Sequence, residues 1–151
     1  MRRKDKQISD RGELEQIIDQ AVVCRIAYVR DGVPHIVPVN FGYEYNCLYF
    51  HSAVEGHKID SLRRDSRVCF EMETDVELLA ASAPCKWTVK YRSVIGHGRV
   101  FFIEEIGAKR KALDIITRHY GCGRDYSAAS LDKVTLVKIE IDSLTGKKSG
   151  F

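Results

Sequence analysis

Between residues 22 and 50 the chain reads VVCRIAYVRDGVPHIVPVNFGYEYNCLYF, a succession of β-branched and aromatic residues with Asp31-Gly32 near its middle. Asp-Gly between alternating apolar residues is a strong hairpin signal, because both positions must adopt positive φ and these two residues do so at little cost. VVCRIAYVR therefore reads as one strand, and the stretch from Val33 to Phe50 as two more, broken near Glu44 to Asn46. Hairpin-linked strands are antiparallel neighbours, so the chain is committed early to a meander.

The same alternation returns in RVCFEM (67–72), in the long WTVKYRSVIGHGRVFFI (87–103), where Gly96 and Gly98 mark a kink or bulge, and in VTLVKIEI (134–141). Helical spacing appears in three places. Asp10 followed by Glu13 is a capping-box variant, and Leu14, Ile17, Ile18 and Ala21 follow on one face of a helix from about 10 to 21. A short helical piece starts near Glu55, and Ile106, Lys109, Leu113, Ile116 and Tyr120 mark a helix between Glu104 and Tyr120. GCGRDYSAAS (121–130) reads as a loop. About six short antiparallel strands with small peripheral helices predict a mainly β fold, a closed or nearly closed barrel, since closure hides the edges a meander exposes. Pro38 cannot donate to a ladder, which places it at an edge, a bulge or a gap in the wall, where a flat ligand could enter.

With 151 residues and no linker, repeat or low-complexity tract, the expectation is a single domain, 1–151. The net charge of +3 is spread along the chain except for the opening MRRKDK, which reads as a solvated tail, so neither nucleic acid nor a membrane surface is an expected partner. No apolar run is long enough to span a bilayer and no signal peptide opens the chain, so a cytoplasmic location is expected. The five cysteines form no C-x-x-C pair; neither a disulfide framework nor a metal site is indicated, and Cys24 and Cys69 read as buried small hydrophobes. The histidines are dispersed, and no serine has a nucleophile-elbow context.

Three segments carry candidate chemistry. In YFHSAVEGHKIDSL (49–62) a strand ends at His51, Ser52 and Ala53, passes Gly56 and enters a helix that carries Lys58 one turn in. A helix start offers unpaired N–H groups, and Ser52 and Lys58 add a hydroxyl and an ammonium that suit a phosphate. The plainer reading is a turn glycine and a solvated lysine. In APCKWTVKYRSVIGHGRV (83–100) alternation puts Trp87, Val89, Tyr91 and Ser93 on one face and Thr88, Lys90 and Arg92 on the other, which suits a phosphorylated aromatic ligand or a half-buried strand equally. LTGKKSG (144–150) is either a frayed tail or a segment that closes over a ligand with Lys147.

Taken together, GVPHIVPVNFGY, LYFHSAVEGHKID, RVCFEM, KYRSVIGHGRV, KRKALDIITRHYG and IEIDSLTGKKSG resemble the flavin-binding split barrels related to pyridoxamine 5′-phosphate oxidase, with the likeness strongest to the nitroimidazole-resistance branch. The likeness runs from about residue 2 to the end. It implies a homodimer of split barrels with FMN in each of two clefts at the subunit interface. On this chain the ring would lie along Pro38, Val39 and Asn40 and the strand end at His51, Ser52 and Ala53. The phosphate would meet Lys58, helped by Arg92 and Ser93, with Trp87 supplied by the partner subunit. His51 matches a histidine that stands by the flavin in that branch and acts there in proposals for substrate reduction. The basic and aromatic C-terminal residues with which pyridoxamine-phosphate oxidases hold their substrate have no counterpart here, so vitamin B6 oxidation is not expected. In other relatives the same barrel holds heme or a deazaflavin; FMN follows from the branch. The functional expectation is an FMN-dependent reductase of small flat electrophiles such as nitroaromatics. The alternatives are a flavin reservoir or sensor without turnover and, third, a heme-binding barrel.

Overall fold

The computed structural model describes residues 3–121 and 127–151. After a single 3₁₀ turn at Lys4–Lys6, the two-residue strand β1 (Gln7–Ile8) leads to helix α1 (Arg11–Gln20). The Glu13 N–H donates to Asp10 Oδ1 at 2.8 Å, the first half of the expected capping box. The Glu13 carboxylate turns instead toward Arg92 and Lys148, at 3.9 Å from each. Leu14, Ile17 and Ile18 are the buried stripe of this helix, as their spacing requires.

Strands β2 (Cys24–Arg30) and β3 (Val33–Val39) form the expected hairpin, with Asp31 and Gly32 at φ 51° and 78°. The stretch expected to hold two strands after that turn holds three: β3, β4 (Phe41–Glu44) and β5 (Cys47–Ser52). Asn40 is the divider. Before it the chain pairs with β2 (Cys24 with Val39), and after it with β5 (Phe41 with Phe50). The break near Glu44 to Asn46 is a two-residue turn with Tyr45 and Asn46 both at positive φ. Asn46 is held there by Arg11, which donates to its Oδ1, and by the Ile141 carbonyl, which accepts from its Nδ2.

Helix α2 (His57–Arg64) precedes β6 (Arg67–Leu79), which outruns the expected RVCFEM by seven residues. Its polar second half hides the strand from a hydrophobicity reading, and pairing with β7 (Thr88–Ile103) holds it extended. Helix α3 (Ile106–His119) is capped by the Glu105 carboxylate, which accepts from the Gly107 and Ala108 N–H groups. Of the segment expected as a loop, residues 122–126 lie outside the described residues; Ala128–Leu131 forms one helical turn, α4, with Leu131 buried. Strand β8 (Thr135–Ser149) takes in LTGKKSG, so that segment is neither a frayed tail nor a free lid: it lies between β7 and β1 in the sheet.

The strand order is β3-β2-β6-β7-β8-β5-β4, with β1 beside β8 and every pairing antiparallel. The two end strands, β3 and β4, are joined by Asn40 alone, so the sheet must curl until its edges meet at that residue. That is a barrel with a split where β3 and β4 part, and Pro38 lies on the edge strand at the split, as its missing N–H demands. The register shift between His97 and Gly98 bends β7, the bulge the glycines announced. A Cβ at Gly96 would fall 2.1 Å from Phe70 Cζ and one at Gly98 2.4 Å from the Glu140 carbonyl oxygen, so packing as well as bending requires glycine here.

Inside the barrel Phe41, Phe50, Phe70, Met72, Val94 and Ile139 meet the apolar stripe of α1. A second cluster, of α3 residues Ala112, Leu113 and Ile116 with Leu131 and Leu136, covers the outer side of β4 and β5. Cys24 is fully buried as expected, but Cys69 is only half-buried. Alternation in β6 turns Val68, Phe70 and Met72 inward and leaves Cys69 on the outer face. Among the described residues no helix is long and apolar enough to cross a membrane, and no group of His, Cys, Asp and Glu is arranged to hold a metal ion.

Candidate functional site

The split collects the first group of expected site residues. Phe41 pairs with Phe50, so continuing that register one step outward brings Asn40 and His51 to the same row, beside Pro38 and Val39 at the end of β3. Ser52 ends β5 and pairs with Thr135; Ala53 and Gly56 then carry the chain into α2 and Lys58. Gly56 is the N-cap at φ 131°, a conformation open to glycine, and its carbonyl accepts from the Asp60 N–H.

Strand alternation sorts these side chains by face. Val39 and Ser52 lie on the inward side with Phe41 and Phe50, whereas Pro38, Asn40 and His51 are exposed on the outer side. Lys58 is half-buried, with its Nζ 5.5 Å from the centroid of the buried Phe50 ring. Burial pushes its pKa below the ordinary lysine value, and among the described residues it makes no ion pair with a carboxylate. Burial of an ammonium costs free energy, and the Phe50 ring face offsets part of it.

The second group, Trp87, Arg92, Ser93 and Lys147, is gathered elsewhere. Ser93 pairs with Lys147, while the other end of the same β7–β8 ladder pairs Ile103 with Leu136, the residue opposite His51. Ser93 thus lies roughly 30 Å of strand path from the row of Leu136 and His51 at ~3.3 Å per residue, whereas across the sheet it pairs with Glu73, whose carboxylate reaches Arg25, the residue paired with Pro38. Within its own chain Arg92 faces α1: its Nη1 is 3.2 Å from Asp75, its Nε 3.9 Å from Glu13, and its guanidinium lies 4.4 Å from the Phe151 ring. Arg92 Nε is buried without a hydrogen-bond acceptor, as is Thr74 Oγ1, which belongs to the residue paired with it across β6 and β7. Lys147 Nζ stands 5.4 Å from the Tyr91 ring. Trp87, expected on the strand, precedes it: it closes the 3₁₀ turn Pro84–Lys86, its indole N–H donates to the Ala81 carbonyl at 2.6 Å, and half of it is exposed.

On the outer face next to Pro38, Arg25 pairs with Glu71 at 3.2 Å and Glu73 at 3.0 Å. Burial and the neighbouring Glu73 push the Glu71 carboxyl upward. Sequence reading passed over this strip, and also over Arg30 and His57. The Arg30 guanidinium donates to His57 Nδ1 beside Lys58. Nothing local marks these residues, since a charge next to a hairpin turn and a histidine at a helix start are common surface features.

Fold and site together define an antiparallel split barrel with a half-buried lysine at the opening of the split. The chain belongs to the pyridoxamine 5′-phosphate oxidase family, whose model matches residues 10–148. Among solved structures, a candidate 5-nitroimidazole antibiotic resistance protein from Bacteroides thetaiotaomicron is 38% identical, with a TM-score of 0.85 over 94% of this chain and 86% of that one. The fold recurs at lower identity. An FAD and heme binding protein from Mycobacterium smegmatis (23% identical, TM-score 0.86) covers 97% of this chain, which spans 74% of it. The flavocytochrome Anf3 from Azotobacter vinelandii (18% identical, TM-score 0.85) covers all of this chain, which spans 72% of it. No curated protein matches the sequence.

Proposed function

We propose that this protein is a homodimeric flavoprotein that binds FMN at the split and reduces small flat electrophiles such as nitroaromatics. The observation that carries the reading is Lys58: a half-buried ammonium pushed below its ordinary pKa, without a carboxylate partner among the described residues, at the start of a helix whose N-cap glycine leaves the backbone open. A phosphate monoester completes that arrangement, and Ser52 lies on the same inward side to donate a hydroxyl. The 38% identical resistance protein and the FAD-binding neighbour point to the same class of ligand and substrate.

Pro38, Val39 and Asn40 offer the bed for a flat ring on one side of the split, and His51, Ser52 and Ala53 on the other. A flavin held there would supply the electron transfer to the acceptor. The protein's part is to hold the acceptor against the ring and to offer it a proton. His51 is exposed on the outer side of the opening, where its imidazole N–H can donate to an oxygen of the reduced acceptor.

In this reading a twofold partner brings its own Trp87 to the split; within its own chain that residue stands before β7 and is half-exposed. Exposed Ile36, Val76, Leu78 and Trp87 supply apolar surface for that contact.

The test is the absorption spectrum of the purified protein with a mass for the released ligand, followed by anaerobic turnover of a nitroimidazole with NADH or NADPH. A flavin spectrum, an FMN or FAD mass and turnover support the reading. A flavin without turnover leaves a reservoir or sensor, a Soret band points to heme, and a colourless protein that takes up no flavin rejects it.

A further inference from the structure

The β2–β3 ladder ends at a rung that a side chain interrupts. Its register runs from Arg30 opposite Val33 to Cys24 opposite Val39, and across a two-residue turn the residues of this parity are the ones that exchange main-chain hydrogen bonds. Two residues further on, Val22 would face Phe41, and the Phe41 N–H would donate to the Val22 carbonyl. A relay takes the place of that bond: the Phe41 N–H donates to the Tyr120 hydroxyl at 3.1 Å, and the hydroxyl donates to the Val22 carbonyl at 2.9 Å. One phenol oxygen thus stands where two main chains would otherwise meet, and from this point the chain pairs with β5 instead of β2. Tyr120 follows the last residue of α3, and its ring is seated against the α3 cluster. Its neighbour His119 donates from Nε2 to the Ala21 carbonyl at 2.8 Å, with its ring centre 4.3 Å from that of Phe41, so the end of α3 holds both sides of the interrupted rung.

We propose that Tyr120 is the wedge that opens the split at Asn40, and so a positioning residue for the flat ligand laid there. Asn40 lies between the last direct rung, Cys24 with Val39, and the relayed one, so its backbone is held on both sides. Without the hydroxyl, the Phe41 N–H and the Val22 carbonyl either close into a direct rung, which draws the start of β4 toward β2 and narrows the split, or stand unpaired. Both outcomes shift Asn40 relative to His51, its neighbour in the next strand. Tyr120 acts through Phe41 and Asn40, without contact with the ligand. The proposal rests on the reading of the split as a flavin site.

The experiment is a fluorescence titration of the full chain, stripped of flavin, with FMN and riboflavin in parallel, for the wild type and Tyr120→Phe. The variant should lose about tenfold in affinity for both flavins alike, the worth of one or two neutral hydrogen bonds, because the ring and not the phosphate is misplaced. At saturating flavin, the visible circular dichroism of the bound ring should differ from that of the wild type, which a loss of global stability alone would not produce. His119→Phe keeps a ring on Phe41 and removes the bond to Ala21; it should shift both readouts in the same direction by less, and it carries the test if Tyr120→Phe does not fold. Unchanged affinity and dichroism, or a loss confined to FMN, overturns the wedge and leaves the flavin reading standing. A wild-type chain that takes up neither flavin overturns both.

Discussion

Lys58 Nζ lies 5.5 Å from the centre of the Phe50 ring, on the inward side of the split where β5 ends at Ser52. The pair explains how a lysine tolerates half-burial without a carboxylate: the ring face partly replaces lost hydration, and the helix start keeps the site open to an anion. Lys58→Ala should therefore weaken FMN more than riboflavin, which has no phosphate. A charge-assisted hydrogen bond of roughly 1.5–3 kcal/mol corresponds to about ten- to a hundredfold in affinity. Equal losses for both ligands would show that Lys58 serves the fold.

The same lysine makes FMN affinity pH-dependent. Burial lowers its pKa in the free protein below the ordinary 10.5, and a bound phosphate raises it again, so binding takes up a proton across that window. FMN affinity should fall as pH rises through the lowered value, while riboflavin affinity shows no matching fall. Titrations in alkaline buffers of constant ionic strength decide it; parallel curves for the two ligands would contradict the assignment.

His51 separates an enzyme from a flavin holder. If its imidazole supplies a proton to the acceptor, His51→Ala should keep flavin and its reduction by dithionite but slow reoxidation by a nitroaromatic by ~10²-fold or more. Stopped-flow reoxidation measures the rate, and an unchanged rate would remove His51 from the chemistry.

In the proposed arrangement Trp87 reaches the split from another subunit, so the protein should sediment as a dimer at micromolar concentration, above the 17.2 kDa of one chain. Trp87→Ala should lower flavin affinity, and mixing it with a His51→Ala chain should restore one intact cleft per heterodimer. A flavin-loaded monomer in the ultracentrifuge would sink the shared-site arrangement.

Gly42 tests the wall behind the site. A Cβ there would stand 2.5 Å from the Ile115 carbonyl oxygen, and a backbone atom cannot rotate away. Gly42→Ala must push α3 off β4, at about 1–3 kcal/mol or more for overpacking. Thermal unfolding should show a lower midpoint, and an unchanged midpoint would mean that the α3 contact is slack.

Local rules settled much of this protein. Asp31-Gly32 makes a turn because its φ angles must be positive, Asp10 caps α1 because a short acceptor suits a helix start, and alternation sorts buried from exposed residues in β2 and β7. The strand-end motif around His51 and Lys58 was legible for the same reason: its residues are close in the chain.

What tertiary structure decided lies between distant segments. LTGKKSG is polar and glycine-containing, a composition that reads as tail, yet main-chain pairing with β7 and β1 makes it strand, and such bonds do not depend on side-chain hydrophobicity. Asn40 looks like one more strand residue until the partners on either side of it prove to be different strands, β2 before and β5 after. The pairing of Ser93 with Lys147 was hidden in the same way. Alternation has a period of two and tells which face a residue takes, but a strand's partner is fixed by closure of the whole barrel, to which every segment contributes and which none encodes alone.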